Sequence, residues 1–146
     1  MILWLHKEIE RMEAFMNHLH IEEQGSDFSS AMIWNKFIAD ICTLDIGKLS
    51  ASQRPAVLSF WYDAEMNSGG HSSWFDVYPN ISNIELINTL NEVKAKQYAA
   101  NFQNAVENGI SDDYEETDNT FYNLSPSLTD LIEKYVRAHE KEIFRA

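Results

Sequence analysis

Asp63 and Glu65 stand just ahead of the pair Gly69-Gly70 and are the carboxylates whose types best suit a general acid and base. That chemistry requires both groups to face one reacting bond. On a helix, positions i and i+2 diverge, and nothing near them in the sequence predicts a raised pKa, so no acid/base pair is expected. The stretch EMNSGGHSSWF suggests a second chemistry, a phosphate cradled by N–H groups where a helix starts after glycines. There is no Walker lysine, however, and a phosphate would meet Asp63, Glu65 and Asp76. The structural reading is the stronger one. One glycine takes the left-handed conformation that closes a helix, and the other lets the next helix turn back closely. Asn67 bonds backbone groups exposed at that corner.

Other chemistries fare no better. His18 and His20 are at i, i+2 and cannot share an ion on a helix, even with Glu22 and Glu23 nearby. His139 and Glu142 are at i, i+3 with no third ligand, and His139 reads as a partly buried core residue. Cys42, the only cysteine, lies among apolar residues where its thiol should be inert. It allows no internal disulfide and no cysteine-based zinc site. No Gly-x-Ser-x-Gly elbow is present. The expectation is a non-enzymatic protein with no metal and no cofactor.

Charge is the more informative property. The 146 residues carry 11 Lys and Arg against 23 Asp and Glu, a net charge of −12. Direct binding to nucleic acid or to an anionic membrane surface is therefore not expected. From Gln97 to Glu133 there are eight carboxylates and no Lys or Arg; from Pro55 to Val93 there are five more, again with none. Asp112, Asp113, Glu115, Glu116 and Asp118 lie in what reads as a polar loop, and they are the candidate contacts for a basic partner. Asp76, Glu85, Glu92 and Glu107 are candidate extensions. A solvated surface that maintains solubility is the simpler explanation of the same charges.

Apolar residues recur at helical spacing nearly throughout, which predicts an all-α single domain over 1–146 with about six to eight helices. Ile2, Leu5, Ile9, Met12, Met16 and Leu19 form one stripe, and a second helix is predicted from about Ser30 to Leu44. Ser50 with Gln53 predicts a capping box, Ser82 or Asn83 a further cap, and Ser125-Pro126 the start of the last helix. Val57, Leu58, Trp61 and Ala64 or Glu65 trace one face of the helix before the glycines. Asn108-Gly109 predicts a C-cap, and a short strand pair is allowed for near residues 20–30. The opening MILWLHKEIERM has neither a basic n-region nor a small-residue cleavage site, so no signal peptide is expected. A cytoplasmic location follows as an expectation.

The stretch EMNSGGHSSWF resembles the Glu-apolar-Asn-x-Gly-Gly-aromatic signature of a bacterial family of domains of unknown function that includes a DNA-mimic protein. Glu65, Asn67, Gly69 and Gly70 carry the match. It continues through LINTLNEVKAKQYAANFQNAV, TDNTFYNL and LTDLIEKYVRAH, or about Leu49 to Phe144, while residues 1–48 carry no recognised motif. Ser68 stands where the family often has Asn, and His71 where it usually has an aromatic. The resemblance implies an all-helical domain and, less directly, a charge mimic that binds a basic DNA-binding regulator. Ten base pairs carry ~20 phosphates over ~34 Å, so mimicry requires the carboxylates to share one face, or a homodimer to pool them. Two readings from other classes are an immunity or antitoxin-like inhibitor of a toxin, and an enzyme with a pocket near Glu65 and Asn67.

Overall fold

The computed structural model describes residues 5–13 and 26–145. Ile2, Met16 and Leu19 of the first stripe, the His18/His20 pair and Glu22 and Glu23 lie outside the described residues. Within them are eight α-helices and no strand. Helix α1 is residues 5–13 and α2 is Ser26–Lys36, continued by a π-helical turn Phe37–Ile41 and a 3-10 turn Ile46–Lys48. Then come α3 (Gln53–Val77), α4 (Asn83–Glu92), α5 (Lys96–Asn108), a 3-10 turn Gly109–Asp112, α6 (Glu115–Asn123), α7 (Leu128–Ala138) and α8 (Glu140–Ile143). The strand pair is not formed over residues 26–30, which are helical.

Helix α3 is the axis of the molecule, with α4, α6 and α7 packed around it. Every residue from Pro55 to Met66 is buried. One apolar face was expected, but this helix is covered on all sides, because the arm that follows Gly70 and three further helices close over it. The capping box is formed: Gln53 N–H donates to Ser50 Oγ at 3.2 Å, and Ser50 N–H donates to Gln53 Oε1 at 3.0 Å. Ser82 caps α4 by accepting from Glu85 N–H. Helix α7 begins two residues later than Ser125-Pro126 suggests, because Ser127, not Ser125, accepts from Asp130 N–H.

Polar groups of the core are satisfied across helices. Trp61 Nε1–H donates to the Cys42 carbonyl at 3.1 Å, Tyr135 O–H to that of Ser52 at 2.9 Å, and Gln53 Nε2–H to that of Ile143 at 2.8 Å. Burial pushes the Cys42 thiol up, which keeps it protonated. His139 is half-buried and stacks on Tyr135 with ring centroids 4.0 Å apart. No helix among the described residues is long and apolar enough to cross a membrane.

The aromatics on either side of the glycines meet. Trp61 stacks on Tyr78 at 5.3 Å, and Tyr78 lies 4.8 Å from Trp74. Phe75 instead packs against Phe102 and Tyr114. Trp74 is fully buried, so Trp74→Ala should cost about 3–5 kcal/mol in denaturant unfolding. Phe75→Ala, at a half-buried position, should cost clearly less.

Candidate functional site

Gly70 has φ 76° and ψ −163°, a conformation open essentially to glycine alone. Two helical arms of α3 meet there, so one glycine does take a positive φ at a corner as expected, but with ψ −163° in place of the left-handed helical value. A Cβ added to Gly70 would collide with the carboxylate of Asp118. Gly69 remains helical, and a Cβ there would lie 2.9 Å from that of Ser73. The glycine pair thus serves a close approach of side chains and not a phosphate.

Asp118, on α6, fills the space that the missing side chain leaves. Its Oδ1 accepts from the His71 backbone N–H at 3.0 Å and bonds His71 Nδ1 at 2.7 Å. His71 is fully buried, and its Nε2 lies 2.7 Å from Tyr62 O. Burial lowers the His71 pKa against the opposing pull of Asp118, so the ring is neutral at neutral pH. A carboxylate only accepts, so Nδ1–H donates to Asp118, and Nε2 must then accept from Tyr62 O–H. Tyr62 keeps its proton because burial, with Asp118 and Asp63 nearby, raises its pKa well above the usual value. The result is a buried chain, Tyr62 to His71 to Asp118, joining both arms of α3 to α6. Tyr122 O–H also donates to the Met66 carbonyl, and Asn101 Nδ2–H to that of Thr117 at 2.9 Å, so α6 is held along its length.

The carboxylates before the kink are both buried. Glu65 accepts from Ser73 O–H at 2.6 Å across the corner. Asn67 Nδ2–H donates to the Asp63 carbonyl at 2.8 Å and to its Oδ1 at 3.1 Å, while Thr129 O–H donates to Oδ2 at 2.6 Å. Contrary to the sequence expectation, the Asp63 pKa is raised to about 6. Burial dominates, the bonds from Thr129 and Asn67 oppose it, and the charge of Glu8 adds to it. Asp63 and Glu65 diverge as their spacing requires. Among the described residues, no group of three or more His, Cys, Asp and Glu is placed to hold a metal.

The acidic segment is not an irregular loop. Gly109–Asp112 is a 3-10 turn, Asp113 and Tyr114 are left-handed (φ 55° and 65°), and α6 begins at Glu115. Helix α5 ends at Asn108 with Gly109 as its C-cap, as predicted, though in the right-handed conformation (φ −68°). Gly109 is glycine because the Tyr114 ring lies where a Cβ would be. Asp112 Oδ2 accepts from Glu116 N–H at 3.0 Å and so caps α6. Asp112, Asp113, Glu115 and Glu116 are exposed, whereas Asp118 is half-buried on the kink. The pKa of Tyr114 is raised by burial and by Asp113, Asp118 and Asp76, and Phe75, next to Asp76 in the chain, packs on the Tyr114 ring. Glu85, a candidate extension, is instead ion-paired with Arg54. Glu92 and Glu107 are exposed on α4 and α5.

Residues 47–139 match the family described as DMP19-like protein. The chain belongs to the DMP19-like family. No curated protein and no solved structure matches it.

In this DMP19-like chain the residues missed in the sequence are Tyr62 and His71. The one signal was His71, a titratable group at a position where the family resemblance calls for an aromatic. It still contacts the rings of Tyr62, Phe102 and Tyr114.

Asp63 supplies a pH test. Its carboxyl is raised above the unfolded value of ~3.9, so its contribution to stability is full below that pH and is lost as pH rises through about 6. Across that window the wild type should lose about 3 kcal/mol relative to Asp63→Asn. Comparing the two proteins at each pH, by denaturant unfolding, removes the opposing titration of His71 and the exposed carboxylates. A difference that does not change with pH would show that Asp63 is ordinary.

Proposed function

We propose that this chain is a non-enzymatic interaction domain whose acidic face takes the place of DNA on a basic nucleic-acid-binding protein. The observation that carries the reading is the packing at Tyr114. Phe75, the neighbour of Asp76 on the arm of α3 beyond the kink, packs on Tyr114 with ring centroids 5.5 Å apart, and Tyr114 sits within the segment holding Asp112, Asp113, Glu115 and Glu116. Among the described residues no Lys or Arg pairs with any of these five, whereas Glu85 and Glu8 have arginine partners. A surface made only for solubility needs no such segregation by sign. Membership of the DMP19-like family supports the same reading, through the resemblance to a DNA mimic.

Five carboxylates correspond to the phosphates of only ~2–3 base pairs, at two charges per pair. A homodimer that sets two such faces side by side would double the footprint. Steering by a summed field of this kind acts mainly on the association rate. Asp118 is excluded from the contact set, since its carboxylate is committed to His71.

The test is the variant Asp112→Asn, Asp113→Asn, Glu115→Gln and Glu116→Gln. Asn at 112 can still cap α6, and Asn at 113 tolerates the left-handed backbone, so the melt should stay at the wild-type temperature. The partner is the basic protein that the immobilised wild type retains from a lysate of the source cell. The variant should associate with it at least ~10-fold more slowly, and the wild-type rate should fall steeply with salt as the Debye length shrinks to ~3 Å at 1 M. Duplex DNA should displace the wild type from its partner. Parallel salt slopes for the two proteins, or a ternary complex with DNA, would overturn the reading.

A further inference from the structure

On the incoming arm of α3, before the kink, a recess of about 460 Å³ opens between α1, α2, α3 and α7. That volume is in the range of small-molecule sites, about 300–1,000 Å³. Trp34 and Phe60 form aromatic walls, in edge contact with centroids 5.8 Å apart. Asp63 lines the recess and is 6% exposed. Its partners, Thr129 and Asn67, are both neutral donors, each occupying one carboxylate oxygen. No Lys, Arg or His among the described residues pairs with it, and Arg11, also on the recess, is bonded to Glu8. A carboxylate this deeply buried is ordinarily paired with a cation.

We propose that this recess binds a small organic amine as its ammonium ion, held by the Asp63 carboxylate and flanked by Trp34 and Phe60. Each Asp63 oxygen retains a lone pair for an N–H donor, and aromatic walls attract a cation. A bare divalent ion fits the surroundings less well, because it requires about six or more oxygen ligands and Thr129 and Asn67 present hydrogens to Asp63. The acidic face proposed above lies on other elements, α6 and the far arm of α3, so the two sites stand or fall separately.

The experiment follows the indole N–H resonance of Trp34 in the full-length protein while n-butylammonium chloride is added. n-Butanol and sodium chloride serve as controls for the apolar and ionic parts of the probe. Butylammonium should shift the resonance saturably and the controls should not. In Asp63→Asn the affinity should fall by ~10-fold or more, the loss of one charge-assisted hydrogen bond. The wild type gives a second readout that needs no variant. The charged and titratable groups around Asp63 are Glu8, Lys7 and Arg11 of α1 and the buried phenols of Tyr62 and Tyr98, which stay protonated. Affinity should therefore fall as pH is lowered through about 6, where Asp63 takes up a proton. A response equal for butanol and butylammonium, no saturable shift, or an affinity indifferent to pH or to Asp63→Asn would overturn the proposal.

Discussion

The fold depends on one close approach, the Asp118 carboxylate seated where Gly70 has no side chain. Only a glycine can both take φ 76° with extended ψ and leave that space open. The kink turns α3 back so that Trp74 and Tyr78 return to Trp61, and the buried face of the helix is closed by its own continuation. The same carboxylate holds His71, and through it Tyr62, so one acidic group fixes the corner, a buried imidazole and the position of α6. Because α6 carries Glu115 and Glu116 and follows Asp112 and Asp113, the anchor also sets where the free charges stand.

The carboxylates of this chain divide by what surrounds them. Glu65, Asp63 and Asp118 are satisfied by donors inside the protein and serve packing. Among these, Asp63 is the one that lines a recess and whose pKa burial raises, and the proposed ammonium site rests on it. Asp76, Asp112, Asp113, Glu115 and Glu116 face water and, among the described residues, no Lys or Arg is paired to them, so their field adds instead of cancelling. Net charge alone could not separate these roles, since both kinds contribute equally to it.

Much of the fold was legible in the sequence because it rests on local rules. Helical spacing gave the α class, Ser50 with Gln53 formed the capping box that their spacing predicts, and of Ser82 and Asn83 it is Ser82 that caps α4. The failures share a cause, contacts between residues distant in sequence. Asp118 reads as one of five loop charges until His71, 47 positions away, is seen to hold it. Asp63 reads as ordinary because nothing near it in sequence shows that α1 and α7 bury it. The short acidic helix α6 was missed because two left-handed residues, Asp113 and Tyr114, precede it and it has no apolar stripe; only Thr117 and Phe121 of it are buried.

The most direct test of the anchor is a double-mutant cycle on Gly70→Ala and Asp118→Ala, read as unfolding free energy. Each single change should destabilise, the first by strain and collision and the second by leaving His71 N–H and Nδ1–H without an acceptor. In the double variant the collision is gone, so the loss should fall short of the sum by ~1 kcal/mol or more. Additive losses would mean that the glycine and the carboxylate are independent, and that the corner is not held by their approach.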